Sequence, residues 1–346
     1  MNVGVGVREM KSVVRTTAGG PEVLQFVERP VPEPGPGEVR VRVHISGVNP
    51  TDWRARQRAL PPGVREEVPH QDGAGVIDAV GPEVDPARVG QRVWIWEAAW
   101  ERPWGTAQQY TLVPDQHAVA LPDHASFELG AALGIPALTA HRALTVHDGG
   151  PGQLAPGTLQ GATVLVAGGA GAVGNAAIQL ARWAGARVIT TVSGPAKAAL
   201  ASAAGAHLTV DYRTQDAVAE ILAFAPEGVD IVVEVAPGAN AALDIAVAAQ
   251  GAVVAYYSGG EGEHLSIPVL TSLSTNLRWQ SVFVYTVPST AKQQAITDVT
   301  AAVDAGALRV GEEAGLPLHR FTLEHTADAH AALEKGVVGR VLVDIP

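Results

Sequence analysis

The chain contains no cysteine in its 346 residues. That excludes disulfides, thiolate nucleophiles and every cysteine-ligated zinc centre. Its 11 histidines are scattered, and nowhere do they take the H-E-x-x-H spacing of a helical zinc site, so no metal is expected. It also lacks any run of about 18 apolar residues, and the N-terminus has no apolar stretch of signal-peptide length. The reading is a soluble cytoplasmic protein with no membrane partner. Lys and Arg never cluster, and 24 of them against 35 Asp and Glu give a net charge of −11, so nucleic acid is not expected either. An anionic ligand would have to be met locally, by backbone amides and a few placed cations. What remains is a chain 47% hydrophobic and 17% charged, the composition of a folded protein with a sizeable core, and long enough for two domains.

The organising stretch is Val164 to Leu180, V-L-V-A-G-G-A-G-A-V-G-N-A-A-I-Q-L. An apolar strand runs into Gly169, Gly171 and Gly174, spaced G-x-G-x-x-G, and then into a helix-forming segment. The first glycine permits a tight turn, the second lets a pyrophosphate approach the backbone, and the third lets helix and strand pack closely. Free N–H groups and the helix dipole then favour a phosphate. The competing reading is a glycine-rich turn that binds nothing.

Around this stretch the pattern divides. Glu38 to Ser46 alternates Val39, Val41, Val43 and Ile45 inward with Arg40, Arg42 and His44 outward, a half-buried strand. Residues 1–9 read as an extension, and strands are also expected from Met10, over Pro69–Val80, Gln91–Trp96 and Gly105–Pro114. Trp94, Trp96, Trp100 and Trp104 fall in one window, as packing or as a platform for a flat substrate. Asn49 precedes Pro50 and is biased to extended geometry, and Thr51 or Asp52 is placed to cap a short helix. From Ala131 the chain turns helical, with Pro136 near a helix start or kink. Strands and helices then alternate to Tyr256, followed by a strand over Ser281–Val287 and a helix over Ala291–Ala305. This is α/β: a doubly wound parallel sheet of Rossmann type with a smaller, mostly β domain. The expected boundaries are 134–288 for the nucleotide domain, with 1–133 and 289–346 forming the other.

A cofactor with a free ribose 2′-OH usually meets an acid about 20 residues past the glycines. Here Thr190 to Lys197 carries none. Ser193 can donate to a phosphate oxygen and Lys197 can supply charge, which favours NADPH over NADH. Alternatively they are a helix cap and a solvated lysine.

Several ordered motifs resemble the medium-chain dehydrogenase/reductase superfamily, and within it the zinc-free quinone oxidoreductase (zeta-crystallin-like) branch. They are G-G-P-E-V-L at Gly19–Leu24, G-V-N-P-T-D at Gly47–Asp52, D-G-A-G-V-I at Asp72–Ile77 and G-T-A-x-x-Y at Gly105–Tyr110. G-I-P-x-x-T-A at Gly134–Ala140, A-G-A-V-G at Ala170–Gly174 and G-R-V-L-V-D-I at Gly339–Ile345 complete the series. The resemblance implies a GroES-like catalytic domain split around the Rossmann domain, NADPH in the cleft between them, and a homodimer joined through the Rossmann sheets. It implies that Thr139 lies near the pyrophosphate or nicotinamide and that Ala172 and Val173 offer backbone N–H groups to the pyrophosphate. Ser193, Lys197 and Tyr212 would surround the 2′-phosphate, with Asn240 and Ser258 along the cofactor, Phe283 and Val284 beside the nicotinamide, and Gly339 and Arg340 closing over it. Asn49 and Asp52 would form the floor of the substrate side, as the catalytic pair. One departure matters: relatives place tyrosines just after the N-P-x-[DE] motif, whereas Trp53 to Leu60 has none and Arg54 takes one such place. That opens the site to anionic or polar acceptors.

The implied activity is metal-free hydride transfer from NADPH to a quinone. Reduction of an activated alkene (an enone or enoyl thioester) uses the same geometry, and an NADPH-binding structural or regulatory protein is the reading from another class.

Overall fold

Alternating apolar and polar residues build the first part of the chain as sheet. The computed structural model describes residues 8–346. The expected extension over 1–9 lies, through residue 7, outside the described residues, and Glu9 already belongs to β1 (Glu9–Val14). β1 pairs antiparallel with β2 (Gln25–Pro30). β3 (Glu38–Val48) buries Val39, Val41, Val43 and Ile45 as its alternation requires. Arg40, expected outward, is buried too, because Asp78 at 2.8 Å, Glu33 at 3.0 Å and the Pro32 carbonyl at 2.9 Å satisfy its guanidinium. There follow α1 (Pro50–Arg56), β4 (Asp72–Val80), β5 (Arg92–Ile95), β6 (Tyr110–Pro114) and β7 (Ala118–Ala120). Trp94 and Trp96 are buried, and Arg29 sits 4.2 Å above the Trp104 ring, so these members of the tryptophan window pack the domain.

α2 (Phe127–Leu144) is kinked, and the break is at Gly134 (φ −11°, ψ −111°) rather than at Pro136. A Cβ on Gly134 would lie 2.0 Å from the Asp72 carboxylate, so only glycine lets that acid approach. Pro136 follows inside the helix, where it has no N–H to leave unpaired.

The second unit runs from Pro136 to Pro317. It contains β8 (Thr163–Ala167), α3 (Ala172–Trp183), β9 (Arg187–Val192), α4 (Pro195–Ala203), β10 (Leu208–Asp211) and α5 (Ala217–Phe224). β11 (Val229–Glu234), α6 (Pro237–Val247), β12 (Ala248–Tyr256), α7 (Val269–Thr275), β13 (Arg278–Ser281) and α8 (Ser289–Asp304) complete it. Its six strands are all parallel, in the order β10-β9-β8-β11-β12-β13. This is the doubly wound order, which reverses direction between β8 and β11. β8 is buried at every residue, as a strand covered on both faces must be.

Two expectations are corrected here. The apolar run Ser281–Val287 is not a strand: β13 ends at Ser281, opposite Tyr256, where β12 also ends and can offer no further pairing. The next residues instead form a short 3-10 turn, Val284–Thr286. The return to the first unit comes at Leu318, not at 289. α8 stays in the second unit because Ile296, Val299, Ala302 and Val303 are buried there, and Asp298 meets His141 Nε2 at 2.7 Å and accepts from the Leu154 N–H at 2.6 Å.

The chain then adds β14 (Leu318–Thr322), α9 (Thr326–Glu334) and β15 (Arg340–Asp344) to the first unit, which ends its earlier stretch at Ile135. Its main sheet has the order β14-β15-β3-β4-β5-β7, with β6 also on β3. Among the described residues no helix is long and apolar enough to cross a membrane.

Candidate functional site

In the second unit the glycine turn leaves β8 and enters α3 with Gly171 as N-cap. The left-handed residue is Gly168 (φ +71°), one before the motif, so the tight turn falls there and not at Gly169. Gly169 is required for space: a Cβ would lie 2.2 Å from Thr190 Oγ1. Gly174 meets its expected role, since a Cβ there would be 2.5 Å from the Gly168 carbonyl. At Gly171 a Cβ would meet nothing closer than 3.5 Å. The turn is therefore crowded on its strand side and open at the helix start, where the first-turn N–H groups of Ala172 and Val173 have no intrahelical partner. That cradle fits a phosphate.

At the ends of β9 and β10 three of the expected residues come together. Lys197 Nζ donates to Ser193 Oγ at 2.9 Å, and the Tyr212 N–H bonds the Val192 carbonyl at 3.2 Å, one residue before Ser193. The Tyr212 ring is 53% exposed, free to flank a ligand. Asn240 lies in the first turn of α6 and gives its amide to Glu234 Oε1 at 3.0 Å. Glu234 ends β11 beside the switch point, and Asp244 lies one turn beyond Asn240 with both carboxylate oxygens buried and unpartnered; burial pushes both acids up, and with the charge of Glu234 beside it Asp244 rises to about 8. Ser258 follows β12, Thr139 is buried in α2, Phe283 is half exposed and Val284 buried.

The first unit holds a separate buried cluster. Asn49 is extended (φ −116°, ψ 158°) and is itself the N-cap of α1, a role expected of Thr51 or Asp52. Asp52 instead sits at the third helical position, where its carboxylate accepts the Asn49 backbone N–H at 2.6 Å, closing a capping box. Burial pushes the Asp52 carboxyl well above its usual range. The Asn49 side chain donates through Nδ2 to Asp72 Oδ2 at 2.7 Å and accepts from Arg340 Nη1 at 2.7 Å. Arg340 Nη2 bonds Asp72 Oδ2 at 2.8 Å, and the guanidinium also reaches the carbonyls of Val48 at 2.9 Å and Ala131 at 2.7 Å. The other Asp72 oxygen accepts the Ile135 N–H at 2.9 Å, at the α2 kink. Burial raises Asp72, while Arg340 foremost, then Asn49 and Ile135, hold it down.

Arg340 was expected over the cofactor. The structure places it inside the first unit, 1% exposed, with both terminal nitrogens spent, so its role moves to the Asn49 cluster; Gly339, just before it, is left-handed (φ +121°). Sequence reasoning missed Asp72 and His70. For Asp72 the signal was an acid heading a strand otherwise apolar at its start; His70, left-handed in the structure (φ +82°), left none in the sequence.

Two family models match the chain: one described as an alcohol dehydrogenase GroES-like domain over residues 35–123, the other as a zinc-binding dehydrogenase over residues 172–301. The quinone oxidoreductase of Homo sapiens is 29% identical, across 99% of this chain and 99% of its own. That of Mus musculus is 30% identical across 72% of this chain and 73% of its own. Among solved structures, a mycobacterial protein complexed with NADPH is similar with a TM-score of 0.79 and 26% identity, covering 97% of this chain and 100% of its own.

Proposed function

The chain belongs to the quinone oxidoreductase (zeta-crystallin-like) branch of the medium-chain dehydrogenase/reductase superfamily, and from that premise we propose that it uses NADPH to reduce a quinone by direct hydride transfer. It is an oxidoreductase acting with a nicotinamide cofactor on a small molecule. The observation that carries the choice of NADPH is the Ser193–Lys197 pair beside Tyr212, at the end of β9, where no acid stands between Thr190 and Lys197. A relative solved with NADPH supports the same choice. Bound NADPH supplies the hydride from C4 of its nicotinamide. The backbone amides of Ala172 and Val173 hold the pyrophosphate, and Ser193 and Lys197 hold the 2′-phosphate. Thr139, Asn240, Ser258, Phe283 and Val284 of the second unit would line the rest of the cofactor.

On the substrate side Asn49 keeps one amide N–H beyond the one spent on Asp72, a donor for the oxygen on which charge develops. Asp52 and Arg340 fix its orientation. Zinc independence is supported by the absence of cysteine from the sequence. A homodimer through the sheets is supported by β13, an unpaired edge, with Val269, Leu270 and Leu273 of α7 exposed near it.

One observation favours a second acceptor class: Arg54 is exposed on α1, just after the N-P-T-D motif, and suits an anionic activated alkene. The test is NADPH and NADH oxidation against a panel of ortho- and para-quinones and enones. Fast NADPH oxidation with quinones supports the proposal. Activity with enones alone moves the function to alkene reduction, and tight NADPH binding without turnover on either class moves it to a structural role.

A further inference from the structure

Behind the Asn49 cluster, five hydrogen bonds run in series through the first unit. Arg56 Nη1 lies 3.1 Å from His330 Nδ1, and His330 Nε2 lies 2.9 Å from His70 Nε2. His70 Nδ1 is 2.8 Å from Ser46 Oγ, which is 2.6 Å from Thr106 Oγ1, which donates to the Asp72 carbonyl at 2.6 Å. All five side chains are buried, none more than 1% exposed.

The ends of the series fix its direction. A guanidinium only donates and a peptide carbonyl only accepts. Thr106 has one hydrogen and gives it to Asp72, so Ser46 must donate to Thr106 and accept from His70. His70 therefore carries its proton on Nδ1 and accepts at Nε2. His330 must carry its proton on Nε2 and accept from Arg56 at Nδ1. Counting from the Arg56 end gives the same result. A second proton on either ring would set two donors against each other. Both histidines are neutral: burial lowers His70 well below its usual value, and burial with Arg56 beside it lowers His330 to about 3.

We propose that His70 is a positioning residue, which works through Ser46 and Thr106 to fix the start of β4 and so the Asp72 carboxylate that holds Asn49 and Arg340. The chain carries position and not protons, since one end can only donate and the other can only accept. Its far end is anchored: Arg56 donates to the Gly19 carbonyl at 3.0 Å and pairs with Glu334. Its near end is held by backbone, with the Thr106 and Ala107 N–H groups bonding the carbonyls of His70 and Pro69 at 3.2 Å each. That approach needs Gly105, where a Cβ would lie 2.1 Å from the Pro69 carbonyl. The link to catalysis rests on the reading of Asn49 given above.

The experiment combines histidine ¹⁵N NMR of the whole protein with kinetics of Thr106→Val and Thr106→Ser. In the unaltered protein at pH 7, His70 is expected as the neutral Nδ1–H form and His330 as the neutral Nε2–H form; either ring cationic or in the other form overturns the chain. With 1,4-benzoquinone as acceptor, Thr106→Val is expected to lower kcat about tenfold or more, with NADPH affinity unchanged, and Thr106→Ser to restore most of it. An unchanged kcat in Thr106→Val overturns the positioning role. If the unaltered protein does not reduce the quinone, the proposed function fails on its own. The Asn49 side-chain amide signal then decides the positioning: displaced in Thr106→Val it stands, unmoved it falls.

Discussion

Arg340 and Asp72 meet at 2.8 Å with neither able to reach solvent, the guanidinium 2% and the carboxylate 0% exposed. A buried pair of this kind adds little over an apolar pair, but losing one partner strands the other charge. Arg340→Met is therefore expected to cost about 3–5 kcal/mol in urea unfolding. Adding Asp72→Asn should recover part of that loss, because the stranded charge is gone. Single and double variants of equal stability would show that the pair is not coupled.

Asn49 is held from both sides, by Asp72 and by Arg340, with its backbone N–H on Asp52. Asn49→Ala is expected to lower kcat by about 10²-fold, the scale for one oxyanion donor, while NADPH affinity stays within error. Equal losses in turnover and cofactor binding would contradict that role.

Lys197 stands 2.9 Å from Ser193 with no acid between Thr190 and Lys197. Lys197→Glu should reduce NADPH affinity relative to NADH by about tenfold or more, roughly 1.4 kcal/mol. The ratio of the two dissociation constants, measured by nicotinamide fluorescence, checks it, and an unchanged ratio removes the 2′-phosphate assignment.

Asp244 is raised in the fold from 3.8 to about 8 by burial and by the neighbouring Glu234. Between those values the folded protein binds more protons than the unfolded chain, so stability falls as pH rises through that window. Asp244→Asn keeps a hydrogen-bonding group beside Glu234 and removes the titration. Denaturant unfolding at pH 5 and pH 9 should show a smaller loss in the variant than in the unaltered protein; parallel losses would assign the pH dependence to other groups.

Much of the fold is legible because its signals are local. Val39, Val41 and Val43 alternate within one strand, and Gly169, Gly171 and Gly174 lie within one turn. Where three-dimensional partners decide, the sequence is mute. Ser281–Val287 has the composition of a strand, but the end of β12 denies it a neighbour. α8 shows which face is apolar and not which domain it covers; the answer lies in Asp298 meeting His141, 157 residues away. In the site, the helix-cap motif at Asn49 is readable, whereas Arg340 reaches it across 291 residues of sequence and His330 reaches His70 across 260. Buried polar partners this distant leave no periodicity to find.

Direct hydride transfer is tested most closely with NADPH deuterated at C4 on one face or the other, oxidised by 1,4-benzoquinone under single-turnover conditions. The prediction is slowed oxidation with deuterium on one face only, with one hydroquinone formed per NADPH consumed. Oxidation that is insensitive to deuterium on both faces, or that does not require the quinone, would contradict it.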